Sequence, residues 1–104
     1  MARFDVYPTP ILADKGTVPF WLDVQADFLQ DLGTRVVVPL RRTRGEQALK
    51  ERLNPVFTVD RVEVFADVAN IATFPARLLR RPAASLREQA RQVEDALDFL
   101  FRGY

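Results

Sequence analysis

Cysteine and histidine are both absent from this chain of 104 residues. Without cysteine there is no disulfide framework, no thiolate nucleophile and no ordinary structural zinc set, so the fold suits a reducing, cytoplasmic compartment. Without histidine the usual base for neutral pH is missing, and several hydrolase and transferase mechanisms go with it. Glycine is scarce as well: four residues stand apart at positions 16, 33, 45 and 103, so neither a phosphate-cradling loop nor a dinucleotide fingerprint can be assembled. No cofactor and no metal are expected. Glu94, Asp95 and Asp98 gather acidic charge on one segment, but without the further oxygen ligands that a hard cation requires. No run of about 18 apolar residues is available to cross a membrane. Met1 to Tyr7 lacks the apolar stretch of a signal peptide.

What remains is a folded domain. Apolar residues make up 48% and charged residues 28%, a balance that favours burial over disorder. The length fits a single domain over residues 1–104, which removes about 65% of its unfolded surface from water. The net charge of +1 conceals an uneven layout. Residues 41–52 carry five basic and two acidic side chains, and residues 77–87 carry four basic and none acidic. The segments 1–40, 53–76 and 88–104 each sum to minus two. A surface divided in this way suits acidic partners; it also suits a solvated, arginine-rich face that only aids solubility.

Along the chain, Phe4 to Tyr7 reads as a strand stopped by Pro8-Thr9-Pro10, where backbone donors are lost. Phe20 to Phe28 alternates at period two, with Phe20, Leu22, Val24, Ala26 and Phe28 on one face and Asp23, Gln25 and Asp27 on the other. The pattern predicts an antiparallel sheet wet on one side. Arg35 to Leu40 is β-branched and extended, with Pro39 marking a strand end or edge. Residues 41–53 read as an exposed basic loop with at most a helical turn at Gln47-Ala48-Leu49-Lys50. Val56–Val59 and Val62–Val68 form a hairpin around Asp60-Arg61, and Ile71–Leu79 adds a strand broken at Pro75. Ser85-Leu86-Arg87-Glu88 is a capping box that opens a helix of roughly 25 Å, and Leu86, Ala90, Val93, Leu97 and Leu100 form its apolar stripe. Short turns between strands and one terminal helix predict an α+β fold, a strongly curved sheet or small barrel closed by the helix.

Few residues offer chemistry. Asp23 and Asp27 are too far apart along a strand to share a proton and read as solvated carboxylates. Arg41-Arg42-Thr43-Arg44 can contact phosphates, but the near-neutral total and the lack of interleaved aromatics argue against direct nucleic-acid binding. The tail Phe101-Arg102-Gly103-Tyr104 reads on physical grounds as a helix ending. Arg102 offsets the negative helix end, Gly103 takes the left-handed cap and Tyr104 folds back.

The segments Phe4-Asp5-Val6-Tyr7, Leu22-Asp23-Val24-Gln25-Ala26-Asp27 and Val36-Val37-Val38-Pro39-Leu40 resemble, in order and spacing, the CcdB family of toxins. So do Leu53-Asn54-Pro55-Val56, Ala69-Asn70-Ile71-Ala72-Thr73-Phe74-Pro75 and the stretch from Leu86-Arg87-Glu88 to Phe101-Arg102-Gly103-Tyr104. The resemblance covers nearly the whole chain. It implies an SH3-like antiparallel barrel with a C-terminal helix, shared with the MazF ribonuclease toxins, in a symmetric homodimer. It also implies a non-enzymatic toxin that binds the A subunit of DNA gyrase, traps the cleaved DNA complex and is neutralised by a CcdA-like antitoxin. The target-binding residues then fall at Phe101, Arg102, Gly103 and Tyr104, and an acidic antitoxin segment would lie along Arg41, Arg42 and Arg44. The family tail is Phe-Trp-Gly-Ile, so Phe101 and Gly103 match while Arg102 and Tyr104 depart, and Asp98 replaces an asparagine. In the family the tryptophan stacks on an arginine of gyrase, a contact that can be worth about 2 kcal/mol, whereas Arg102 sets like charges together. Tyr104 is the candidate replacement for that aromatic face. The alternatives are a non-toxic or retargeted antitoxin-binding relative, and a MazF-like ribonuclease using Arg35 or the 41–44 cluster on a developing phosphorane.

Overall fold

The computed structural model describes residues 2–43 and 50–103. Arg44, Tyr104 and the expected helical turn at Gln47 to Leu49 lie outside the described residues. Seven strands form one antiparallel sheet: β1 (Asp5–Pro8), β2 (Phe20–Asp23), β3 (Thr34–Arg42), β4 (Val56–Val59), β5 (Val62–Ala66), β6 (Ala72–Pro75) and β7 (Ala84–Ser85). A single helix, α1 (Ala90–Arg102), follows. The spatial order is β4-β5-β3-β2-β1-β7, with β6 also on β3. The sheet curls into a nearly closed barrel, the predicted α+β architecture.

β3 makes the curvature possible. Its first half, Thr34 to Val37, pairs with β6, and its end, Leu40 to Arg42, pairs with β5. Pro39 sits between the two partners, where a missing N–H leaves no ladder donor unmatched, and its carbonyl accepts the Asp67 N–H at 2.9 Å. The proline therefore marks a change of neighbour and not the expected strand end. Arg41 and Arg42 also belong to this strand, opposite Phe65 and Val64, and not to a loop.

One face of the sheet lines the barrel. Val6, Phe20, Leu22, Val38, Leu40, Val59 and Val64 pack there with Leu86, Val93 and Ala96 from the helical end, and Leu97 and Leu100 lie partly buried against them. The apolar stripe read from the sequence is the one the helix buries. The expected capping box does not form: Ser85 Oγ accepts the Arg87 N–H at 3.2 Å, a local turn contact, and neither helical segment carries a side-chain cap. The chain first makes a 3-10 turn at Arg87–Gln89, and the α-helix begins only at Ala90. The reason is competition: Ser85 pairs with Asp5, and the Leu86 N–H donates to the Phe4 carbonyl at 2.8 Å, so β1 holds this backbone extended. The 13 helical residues span about 20 Å.

The hairpin forms where expected, with Val59 opposite Val62. Its two turn residues, Asp60 and Arg61, both take left-handed φ, 49° and 66°, as a tight turn matched to strand twist requires. Phe4 is the third such residue, at φ 74°. Its conformation is enforced from both sides, because its N–H donates to the Asp23 carbonyl at 2.7 Å while its carbonyl accepts Leu86.

The second face is not wet. Tyr7, Trp21 and Val37 are buried there beneath Val18 and Leu79, and Trp21 stacks obliquely on Phe74 at 4.5 Å. Asp23 and Arg35 share this face and are fully buried. The alternation of β2 was read correctly for Phe20 to Val24, but the segment running through β6 to Leu79 covers the side assigned to solvent. The extended run also stops at Asp23: Asp27–Leu29 is a 3-10 turn, and Phe28, expected inside, is 83% exposed.

Candidate functional site

The end of α1 presents apolar surface that no described residue covers. Phe101 is 71% exposed, although Phe99, two residues earlier, is partly buried with the Arg52 guanidinium 4.8 Å above its ring. Gly103 closes the helix at φ 81°, ψ 11°, and donates its N–H to the Phe99 carbonyl at 2.9 Å. This is the left-handed cap expected there, and it suits glycine because no Cβ meets the carbonyl. Arg102 occupies the last turn, where its charge opposes the negative helix end, and it is exposed. Of the four tail residues the structure thus brings Phe101, Arg102 and Gly103 together at one solvent-facing end.

Phe28 was missed. The signal lay in the sequence: Asp27, then Phe28, Leu29 and Leu32 at helical spacing before Gly33, a turn signature that outweighs the continuing alternation. Arg3 links this turn to the helix. Its backbone N–H donates to Asp27 Oδ1 at 2.7 Å, its Nε to the Val24 carbonyl at 3.0 Å, and its Nη1 reaches Glu94 Oε2 at 3.3 Å. The strained Phe4 backbone adjoins this bridge, with the Arg3 guanidinium 4.6 Å from the Phe4 ring. Phe28 and Phe101 are the two exposed phenylalanines among the described residues.

The basic strand end is less free than its sequence suggests. Arg41 Nε donates to Asp67 Oδ2 at 2.6 Å, and Asn70 Nδ2 donates to the same oxygen at 2.7 Å. Arg42 is exposed and donates its backbone N–H to the Thr17 carbonyl. Arg44 lies outside the described residues.

Arg35 is in a different position altogether. Its Nε and Nη2 donate to Asp23 Oδ2 and Oδ1 at 2.8 and 2.9 Å, and Asp23 Oδ1 also accepts the Gln25 N–H at 3.0 Å. Gln25 in turn accepts the Val36 N–H and donates to the Leu29 carbonyl, both at 3.0 Å. Burial nevertheless holds the Asp23 carboxyl above its ordinary range, opposed by the Gln25 amide and by Arg35. Lost hydration of both charges offsets much of the attraction within such a buried pair. Tyr7 lies nearby; its buried hydroxyl makes no well-formed hydrogen bond among the described residues, and burial first, then the charges of Asp5 and Asp23, push its pKa up to about 12, against Arg35. Asp23 is not the solvated carboxylate expected, and a guanidinium clamped and sealed from solvent cannot reach an RNA phosphate. Arg35 is thereby removed from the ribonuclease reading.

Among the described residues no group of three or more acidic side chains gathers as a metal site, and no helix is long and apolar enough to cross a membrane. A family model described as CcdB protein matches residues 3–103, and the chain belongs to the CcdB family of toxin-antitoxin toxins. No curated protein matches it.

Proposed function

We propose, from this membership of the CcdB family, that the chain acts without catalysis, binding the A subunit of DNA gyrase as a homodimer in the cytoplasm and trapping the cleaved DNA complex. The carrying observation is the uncovered end of α1. Phe101 stands 71% in solvent on a helix that buries Val93 and Ala96 on its inner face, and a large aromatic left outside the core suits a partner pocket as an anchor. Gly103 takes the left-handed cap just after it, and Tyr104, next in the sequence, is the further aromatic candidate for the same partner. A CcdA-like antitoxin neutralises the toxin, with acidic groups drawn to Arg42 and Arg44; Arg41 contributes less, since Asp67 already offsets its charge.

Arg102 favours a second reading. An exposed cation where the family carries tryptophan suits a target surface that is acidic and not arginine-bearing, which makes the chain a retargeted or non-toxic relative.

A plasmid cleavage assay with gyrase from the same organism separates the two. The first reading expects linear DNA to accumulate after detergent and protease release the trapped complex, and expects Phe101→Ala to weaken trapping about 30-fold with no change in thermal stability. No linear DNA beside a working control overturns the gyrase reading and leaves the retargeted one.

A further inference from the structure

Between the end of β1 and the segment after β6 lies a cavity of about 430 Å³. Pro8, Thr9 and Pro10 form one wall, and Leu78 with Arg77, Arg80 and Arg81 forms the other. No carboxylate lines it, and none of the three arginines makes an ion pair among the described residues, where Arg3, Arg35 and Arg41 do. All three are exposed. Three guanidiniums within five residues repel one another and are relieved by an anion.

The opposite wall decides what kind of anion. Pro8 and Pro10 carry no N–H, and Leu78 is 42% exposed, so the floor is apolar surface beside fixed positive charge. Thr9 is buried, and its Oγ1 accepts both the Ile11 N–H at 3.2 Å and the Trp21 Nε1–H at 3.0 Å. Its own hydroxyl proton is left to donate. A nucleic acid strand would want an aromatic to stack its bases, and the lining holds none. A phosphodiester chain would also leave Leu78 uncovered. A lone phosphate is too small for the space.

We propose that this groove takes an acidic peptide segment of a partner protein, its carboxylates on Arg77, Arg80 and Arg81 and an apolar side chain over Leu78 and the two prolines. The assignment of that peptide to an antitoxin rests on the toxin reading above; the groove's chemistry does not. The comparison with β3 sharpens the choice, because Arg41 is neutralised within the chain while this cluster is not.

The test is fluorescence anisotropy of the full chain with a labelled peptide of alternating glutamate and leucine. The same peptide with glutamine for glutamate, and an oligothymidylate, are the controls. Joint Arg77→Gln, Arg80→Gln and Arg81→Gln substitution is expected to weaken the acidic peptide about tenfold or more. Leu78→Ser should also weaken it, and Arg91→Gln, an exposed arginine of α1, should leave it unchanged. Circular dichroism of these variants should match the parent, since every replaced side chain is exposed. Undiminished binding by the triple variant, equal binding of the glutamine peptide, or displacement by oligothymidylate overturns the proposal. Peptide binding without trapped DNA in the cleavage assay refutes the gyrase reading alone, and trapped DNA without groove-dependent binding refutes the groove alone.

Discussion

Arg35 and Arg80 carry the same charge and meet opposite fates. Arg35 is sealed in the sheet, clamped on Asp23 by two hydrogen bonds; Arg80 stands in solvent with two other arginines and no carboxylate beside it. Counting charge along the chain treats them alike. What separates them is whether the fold supplies a counter-ion, and that decides which arginines organise the molecule and which are available to another one. The end of α1 shows the same division for apolar side chains: Val93 and Ala96 are fully buried on the inner face, and Phe101 is left outside.

The contrast can be broken most forcefully at the buried pair. Asp23→Ala leaves an uncompensated guanidinium in the sheet, and urea unfolding should show a loss of about 3–5 kcal/mol. Replacing both partners together, Asp23→Leu with Arg35→Met, should recover most of that loss, because burial opposes the pair's charges; no recovery would mean that the pair itself carries the stability. Next in size is Gly103→Ala, which places a Cβ at φ 81° and should cost about 1 kcal/mol by thermal melting, with Phe101 still exposed. Arg41→Gln removes a partly exposed bridge and should cost at most about 1 kcal/mol, less in high salt. Arg80→Gln, the solvent-side counterpart, should stay within about 0.5 kcal/mol of the parent.

Tyr7 adds a pH test of the same buried face. Its pKa is raised from 10.0 to about 12, so the folded state holds the proton more tightly than the unfolded chain. The contribution to stability is complete below pH 10 and is lost as pH climbs toward 12. Tyr7→Phe removes no well-formed hydrogen bond among the described residues and should flatten this alkaline limb, leaving the melting temperature near neutral pH little changed.

Much of the fold was legible because it is written in local periods. Alternation put Leu22 and Val64 on the faces that line the barrel, the Asp60-Arg61 pair placed the hairpin, and the three-and-four spacing of Val93, Leu97 and Leu100 placed the helix face. The Gly103 cap was legible for the same reason, since arginine followed by glycine is a local helix-ending signal. Phe28 was read wrongly because a turn signature and a strand pattern overlapped there, and only the pairing of β2 with β3, which ends at Asp23, decides between them.

The sequence by itself determined the hairpin, the apolar face of the terminal helix, the barrel class, the family and the absence of histidine and cysteine chemistry. Only the tertiary structure decided that the second sheet face is dry, that Asp23 and Arg35 are a buried pair and that Arg77, Arg80 and Arg81 line an apolar groove. The physical reason is range. Periodicity states which side chains share a face, but whether that face meets water depends on a distant segment folding over it, and here residues 72–79 cover Trp21 and Val37 while nothing among the described residues covers Arg80 or Phe101.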